Sequence, residues 1–301
     1  MFVQSVVRAR SEVEAAWLVY ESKPATRLIA GGTDLMLQLR RGQRQALALV
    51  DLRRSGMDHI LENEHSICIG ATATVAALAQ HPGILSHFPA LHVAAATLAS
   101  QQIRNLATLG GNICNASPAA DLVTPLIAYQ ATLRVRRGDD VREVASERFF
   151  TGPGQHVLTP QELLVEVVLA KPLPSENEHS RFLKLGFRGA QVIAVVNTAI
   201  SVRLRRGKIE QAHIVLGAVA PTVVRARSAE KLLQGEALEH QVIAAAAEAA
   251  VDDISPIDDV RSTASYRRRV ARNFVRLALE EISAQVAAEK THGGQRSRSR
   301  A

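Results

Sequence analysis

The sequence predicts an α+β protein built in two units, and three observations carry that prediction. Short strand and helix signals alternate through residues 2–52. A proline-containing polar stretch, residues 172–180, then interrupts the chain well past its middle. Beyond it, long strand signals come first and helix signals last, the order expected of a separate α+β unit.

In the first unit, residues 2–8 (FVQSVVR) predict a strand. Ser11 opens a helix, with Glu14 at capping-box spacing and Val13, Ala16, Trp17 and Tyr20 on one face. Lys23-Pro24 stops it, and Arg27–Ala30 is a short buried strand that runs into Gly31-Gly32-Thr33-Asp34. A helix to about Arg41 and a strand at Leu47–Leu52 complete a small β-α-β-α-β unit. Residues 58–62 and 66–70 form a hairpin, and Thr74–Gln80 and Leu91–Ala99 are helices. After the polar, Gly-containing run Gln101–Asp121 come a helix from about Leu122 and strands at Thr132–Arg136 and Leu163–Leu169. In the second unit, strands at Arg181–Phe187, Val192–Arg205 and Ile209–Ala220 are joined by tight turns, Arg206-Gly207-Lys208 among them. Pro221 ends the last strand. Three helices follow near Ser228–Leu233, Glu239–Val251 and Ser262–Ile282, the last burying Val270, Phe274, Leu277 and Ile282.

Composition narrows the function. The chain has 301 residues, the length of about two domains of ~100–200 residues each. It is 47% hydrophobic but only 4% aromatic, so its core rests on aliphatic side chains. No secretory leader or membrane span is evident, and the expected place is the cytoplasm. The two cysteines, Cys68 and Cys114, lie far apart, which argues for free thiols and against a Cys-ligated zinc or iron–sulfur site. The net charge of +7 includes Lys290, Arg296, Arg298 and Arg300 in a tail expected to be flexible and solvated. Arg267-Arg268-Arg269 with Arg272 is a surface for acidic partners or simply a solvated helix face. The scattered histidines form no HxxxH or Ser-His-Asp arrangement, so no catalytic acid, base or nucleophile is assigned.

Two glycine pairs carry the chemistry. Gly31-Gly32 lies between a strand and a helix, where successive N–H groups make an anion-binding nest. Thr33 and Asp34 serve equally as ordinary helix caps. The second pair, Gly110-Gly111, sits in Arg104–Asp121, whose backbone N–H groups can hold a diphosphate and whose Thr, Asn, Ser and Asp side chains can hydrogen-bond the hydroxyls of a ribose or ribityl chain. A structural loop could carry the same residues, with Ser117-Pro118 as a turn and Asp121 as a cap. Neither pair is a GxGxxG dinucleotide fingerprint, and no GxxxxGK[ST] occurs.

Together, AGGTDLM (residues 30–36) and TLGGNICNASPAADLVTPL (residues 108–126) resemble the FAD-binding, or medium, subunit of the molybdenum hydroxylase family, the xanthine dehydrogenase and carbon monoxide dehydrogenase type. The resemblance extends over nearly the whole chain, including STASYRRRVARNFVRLAL (residues 262–279). It implies a two-lobed FAD-binding domain of the vanillyl-alcohol oxidase type over residues 1–175, with lobes of about 1–55 and 56–175. A C-terminal α+β domain would follow over 179–284, then the basic tail 285–301. It further implies FAD contacts at Ala30, Gly31, Gly32, Thr33, Asp34 and Leu35, and at Ala107, Thr108, Gly111, Asn112, Asn115, Ser117 and Asp121. A backbone contact would fall on Leu164, a lysine near the flavin ring on Lys184 and an aliphatic neighbour on Ile193. The implied partners are a large molybdenum-cofactor subunit and a small [2Fe-2S] subunit, assembled as a dimer of heterotrimers, with no nucleic acid. Two cysteines are too few for the extra iron–sulfur cluster that one branch of the family carries in this subunit. Two other readings stand beside this one: a self-contained flavin oxidoreductase of the same fold, and a non-catalytic module that has lost its cofactor.

Overall fold

The computed structural model describes residues 3–173, 176–187 and 193–298, with side chains described as far as residue 289. Phe2 and Val192 of expected strands, Pro174 and Ser175 of the expected linker and residues 299–301 of the expected tail lie outside the described residues.

The N-terminal lobe contains β1 (Ser5–Arg8), α1 (Glu12–Tyr20), β2 (Thr26–Ile29), α2 (Leu35–Arg40) and β3 (Ala48–Asp51). Its sheet is parallel, in the order β1-β3-β2. The predicted cap starts α1: the Glu14 amide donates to Ser11 Oγ at 3.1 Å, while Glu14 Oε2 accepts from the Arg10 amide at 2.7 Å. The buried face of α1 is Ala15, Ala16 and Val19, and Val13, Trp17 and Tyr20 are exposed. The expected face therefore holds only at Ala16. α1 lies close over neighbouring strands, where alanines fit and the rings stay at the rim, meeting edge to face at 5.4 Å.

The second lobe comprises β4 (Ile60–Glu62), β5 (Ser66–Gly70), α3 (Val75–Gln80), α4 (Pro82–His87), α5 (Pro89–Thr97), α6 (Gln101–Arg104), α7 (Leu109–Cys114), α8 (Val123–Ala128), β6 (Thr132–Arg137), β7 (Asp140–Ala145), β8 (Phe150–Gly152), β9 (Gln155–His156) and β10 (Leu163–Ala170). Its antiparallel sheet runs β4-β5-β10-β6-β7 over a core that includes Ile67, Leu78, Leu91, Leu126 and Val167. The β8-β9 hairpin, the short helices α4 and α6, and β7 with its mostly exposed side chains were not expected from the sequence.

The C-terminal unit contains β11 (Asn177–Leu185), β12 (Val196–Arg205), β13 (Lys208–Gly217), β14 (Val224–Arg225), α9 (Arg227–Leu233), α10 (His240–Ala249) and α11 (Ala264–Arg298). Its four strands pair antiparallel in chain order. Arg206 and Gly207 turn the β12-β13 hairpin with φ of 54° and 81°, the left-handed pair such a two-residue loop needs. Residues 177–180, expected as linker, are strand, because they pair with residues 201–204. Period-two alternation splits the sheet between two cores. Val196, Ile200, Val202 and Leu204 face α9–α11, whereas Phe182, Ala199 and Val215 join the core of the second lobe.

Polar bonds seal that second face. Tyr129 and Ser180 join their hydroxyls at 2.5 Å, His213 Nδ1 donates to the Ala128 carbonyl at 2.8 Å, and the Ala218 amide donates to the Pro118 carbonyl at 2.7 Å. α11 begins near the expected start but runs through residues 283–298 as well. Leu277, expected inside, is exposed; Val270 and Ile282 are buried as expected, and Val275, Ala278 and Leu279 fill the face with them. Arg267 is buried rather than solvated, donating to the carbonyls of Val195 and Ala218 and to Asp259. Among the described residues no helix is long and apolar enough to cross a membrane.

Candidate functional site

A cleft of about 560 Å³ opens between the two N-terminal lobes. One wall is β2, the turn after it and the start of α2. The other is built from Ala71-Thr72, Ala107–Asn115 and the segment from His156 to Leu164. Twelve of the residues singled out from the sequence line it: Ala30, Gly31, Gly32, Thr33, Asp34, Leu35, Ala107, Thr108, Gly111, Asn112, Asn115 and Leu164. Its volume falls within the ~300–1,000 Å³ usual for cofactor and small-molecule sites.

The glycines are there because backbones nearly touch. A Cβ on Gly31 would stand 1.9 Å from the Leu106 carbonyl oxygen, and that contact would push the two walls apart. Within the second wall, a Cβ on Gly110 would stand 2.7 Å from the Ala71 carbonyl oxygen. The two segments meeting there are tied by backbone bonds from Leu109 to Ala73, from Gly110 to Ala71 and from Val75 to Ala107. The second glycine pair lies inside α7 rather than in an open loop, and Thr108 Oγ1 caps that helix by accepting from the Gly111 amide at 3.1 Å. Asp34, expected as a cap, makes no side-chain cap bond and stays exposed.

Several polar groups in the cleft have nothing to bind. Among the described residues Gly31 and Thr33 make no hydrogen bond. Three buried side-chain atoms there also lack partners: Thr72 Oγ1, Asn112 Oδ1 and His156 Nδ1. A buried polar atom left unpaired costs about 1–3 kcal/mol, so this lining suits a ligand rich in donors and acceptors. FAD, with its diphosphate, hydroxyls and ring nitrogens, has that character, and the residues present fit it. Glu162, also on the wall, is not available to a ligand. Arg142 holds it through two bonds and keeps its carboxyl down at about 2, and it also accepts from the Thr159 amide. Burial pushes the Cys114 thiol up to about 12, so it lines the cleft as an inert group.

Four of the expected residues lie elsewhere. Ser117 accepts from the Ala119 amide, the turn role open to it from the start. Asp121 and Lys184 pair with each other at 2.5 Å, both side chains under 10% exposed, and Asn197 donates to the other Asp121 oxygen at 3.0 Å. Burial drives the Asp121 carboxyl up, with Lys184 and Asn197 pulling against that. Lys184 and Asn197 are register partners on β11 and β12, so the sheet itself aims both at Asp121. Ile193 is exposed beside residues 188–192, which lie outside the described set. Thr72, Arg44 and His156 line the cleft without any local sequence signal, since pairing and turns far from the glycine motifs bring them there.

Two adjoining lobes around a glycine-lined cleft, followed by an α+β unit sealed to the second lobe, define a class of flavin-binding protein. Residues 3–172 match the family model for the FAD-binding domain in molybdopterin dehydrogenase, and residues 181–282 match the CO dehydrogenase flavoprotein C-terminal domain. The xanthine dehydrogenase FAD-binding subunit of Escherichia coli O157:H7 is 32% identical over 92% of this chain and 95% of its own. Carbon monoxide dehydrogenase from Hydrogenophaga pseudoflava contains a chain that superposes with a TM-score of 0.87 at 28% identity, covering 92% of this chain and 96% of that one. Quinoline 2-oxidoreductase from Pseudomonas putida 86 gives 0.87 at 26% identity, covering 95% and 98%. The chain belongs to the family of FAD-binding medium subunits of xanthine and carbon monoxide dehydrogenase-type molybdenum hydroxylases, and is an oxidoreductase subunit.

Proposed function

We propose that FAD binds in the interlobe cleft and that this subunit relays electrons within a larger hydroxylase. The observation that carries the first part is the set of groups without partners among the described residues, Gly31 and Thr33 on one wall of the cleft and Thr72, Asn112 and His156 on the other. The turn at Ala30–Leu35 offers open amides to the diphosphate. Asn112 and Asn115 face it from the other wall, and the backbone at Leu164 bounds the cleft near Pro160. Asp121, Lys184 and Ile193 mark the side toward the C-terminal unit, where the ammonium of Lys184 would stabilise an anionic reduced flavin.

When bound, FAD supplies one- and two-electron redox chemistry, which suits transfer from the [2Fe-2S] clusters of a small partner chain to a terminal acceptor. A large partner chain carries the molybdenum cofactor and performs the hydroxylation, in a dimer of heterotrimers in the cytoplasm. Two features support this division of labour. Relatives are named as medium chains, and solved structures this chain superposes on belong to carbon monoxide dehydrogenases. The test is purification of the native complex, with its chains counted, its visible spectrum recorded and molybdenum assayed. Three kinds of chain, flavin and iron–sulfur absorption, and molybdenum are the expected result. A single yellow chain that turns over substrate alone would replace this reading with a self-contained flavin oxidoreductase.

A further inference from the structure

The polar lining of the cleft includes two side chains that neither glycine motif contains. Thr72 is only 6% exposed, and its hydroxyl has no partner among the described residues. It lies in the short segment that ties down the second glycine pair. There the Ala71 carbonyl accepts from the Gly110 amide, the Ala73 carbonyl accepts from the Leu109 amide, and Thr74 caps α3 through its own hydroxyl. The neighbouring polar groups of that segment thus have work within the protein, and Thr72 Oγ1 has none. His156 reaches the same wall from a separate segment. Its ring stacks on Phe149 at 5.4 Å, its hairpin is anchored by the Gly154 amide on the Ala116 carbonyl, and its buried Nδ1 is unpartnered. Burial, reinforced by the nearby Arg44, holds the imidazole below its usual range, which keeps it neutral. A neutral imidazole offers one donor and one acceptor, and a hydroxyl offers both.

We propose that Thr72 and His156 are FAD-binding residues, closing hydrogen bonds to the cofactor from two separate segments of the cleft wall. The inference rests on FAD occupying this cleft. It assigns the two side chains a binding role and no part in protein stability, and that distinction makes it testable.

The full-length chain in its complex is stripped of FAD, and rebinding is followed by flavin fluorescence, alongside melting of the FAD-free form. Thr72→Val and His156→Phe remove the polar atoms while keeping the shape and the stack on Phe149. Each is expected to weaken FAD binding on the order of three- to tenfold. The FAD-free form should melt at the wild-type temperature or above it, since an unsatisfied group has been removed. Thr72→Ser and His156→Asn restore a polar atom and should bind within about twofold of wild type. Unchanged FAD affinity in Thr72→Val or His156→Phe overturns the role of that residue. A loss of affinity that tracks a lower melting temperature of the FAD-free form overturns it too. Gly31→Val separates the two levels: if it binds FAD as wild type does, the cleft itself is the wrong place.

Discussion

The interlobe cleft and the Asp121–Lys184–Asn197 cluster are built on opposite principles, although Asp121 and Lys184 were expected to serve the cofactor alongside the cleft. Among the described residues the cleft leaves polar groups open, with two residues that make no hydrogen bond and three buried side-chain atoms that lack partners. The cluster pairs its charges internally and buries them between two units of the chain. An unsatisfied site is completed by a ligand and contributes to binding. A cluster whose charges are paired, with Asn197 Oδ1 its one atom lacking a partner among the described residues, contributes first to the fold and reaches a ligand only through the field it projects.

Four experiments test that contrast, from the largest effect to the smallest. Asp121→Ala leaves the Lys184 ammonium buried without its partner and should cost about 3–5 kcal/mol in denaturant unfolding of the FAD-free chain. Replacing both, as Asp121→Leu with Lys184→Met, should recover most of that loss. A double variant no more stable than the single would show that the cluster is more than a structural pair. Gly31→Val acts on the cleft instead, through the Leu106 carbonyl, and should weaken FAD retention roughly tenfold to hundredfold through overpacking. Retention of bound flavin through gel filtration measures it.

Lys184→Ala sharpens the boundary between the two regions. If the cluster projects charge onto the flavin, the two-electron potential falls by about 30 mV for each 1.4 kcal/mol of stabilisation lost. A potential equal to wild type, with FAD bound, confines Lys184 to the fold. Glu162→Gln is the mildest. The Glu162 carboxyl titrates at about 2 in the folded chain, below its ordinary value of 4.5, so its contribution is full above pH 4.5 and fades as pH falls toward 2. Arg142 is nearly half exposed, and screening reduces the expected loss at neutral pH to about 1 kcal/mol. The difference from wild type should shrink in urea titrations at progressively lower pH.

The two glycine pairs were legible because their chemistry is local: small residues in sequence mark where backbones must approach. The two-unit organisation was legible from the order of strand and helix signals. Thr72 and His156 were not, because each becomes part of the cleft only through pairing with distant segments, Thr72 beside Ala107–Gly111 and His156 through the β8-β9 hairpin. α1 misled for a different reason. The largest apolar side chains were expected inside, but close packing over neighbouring strands selects Ala15 and Ala16 and leaves Trp17 at the rim. Arg267 looked like part of a basic surface because three arginines stand in a row. Helical geometry turns one of them inward, where the carbonyls of Val195 and Ala218 receive it.

The C-terminal sheet belongs to two cores at once, with Ile200 and Val202 on one side and Phe182, Ala199 and Val215 on the other. It acts as a party wall. The family boundary near residue 180 divides the chain in sequence, yet the sheet that begins there packs into the cores on both sides of it. Cutting the protein there would expose one apolar face on each fragment, so the halves should aggregate when made separately and melt together when joined. An exchange of either half would therefore have to carry a matching apolar face for the other, because the sheet is finished only when both sides are covered.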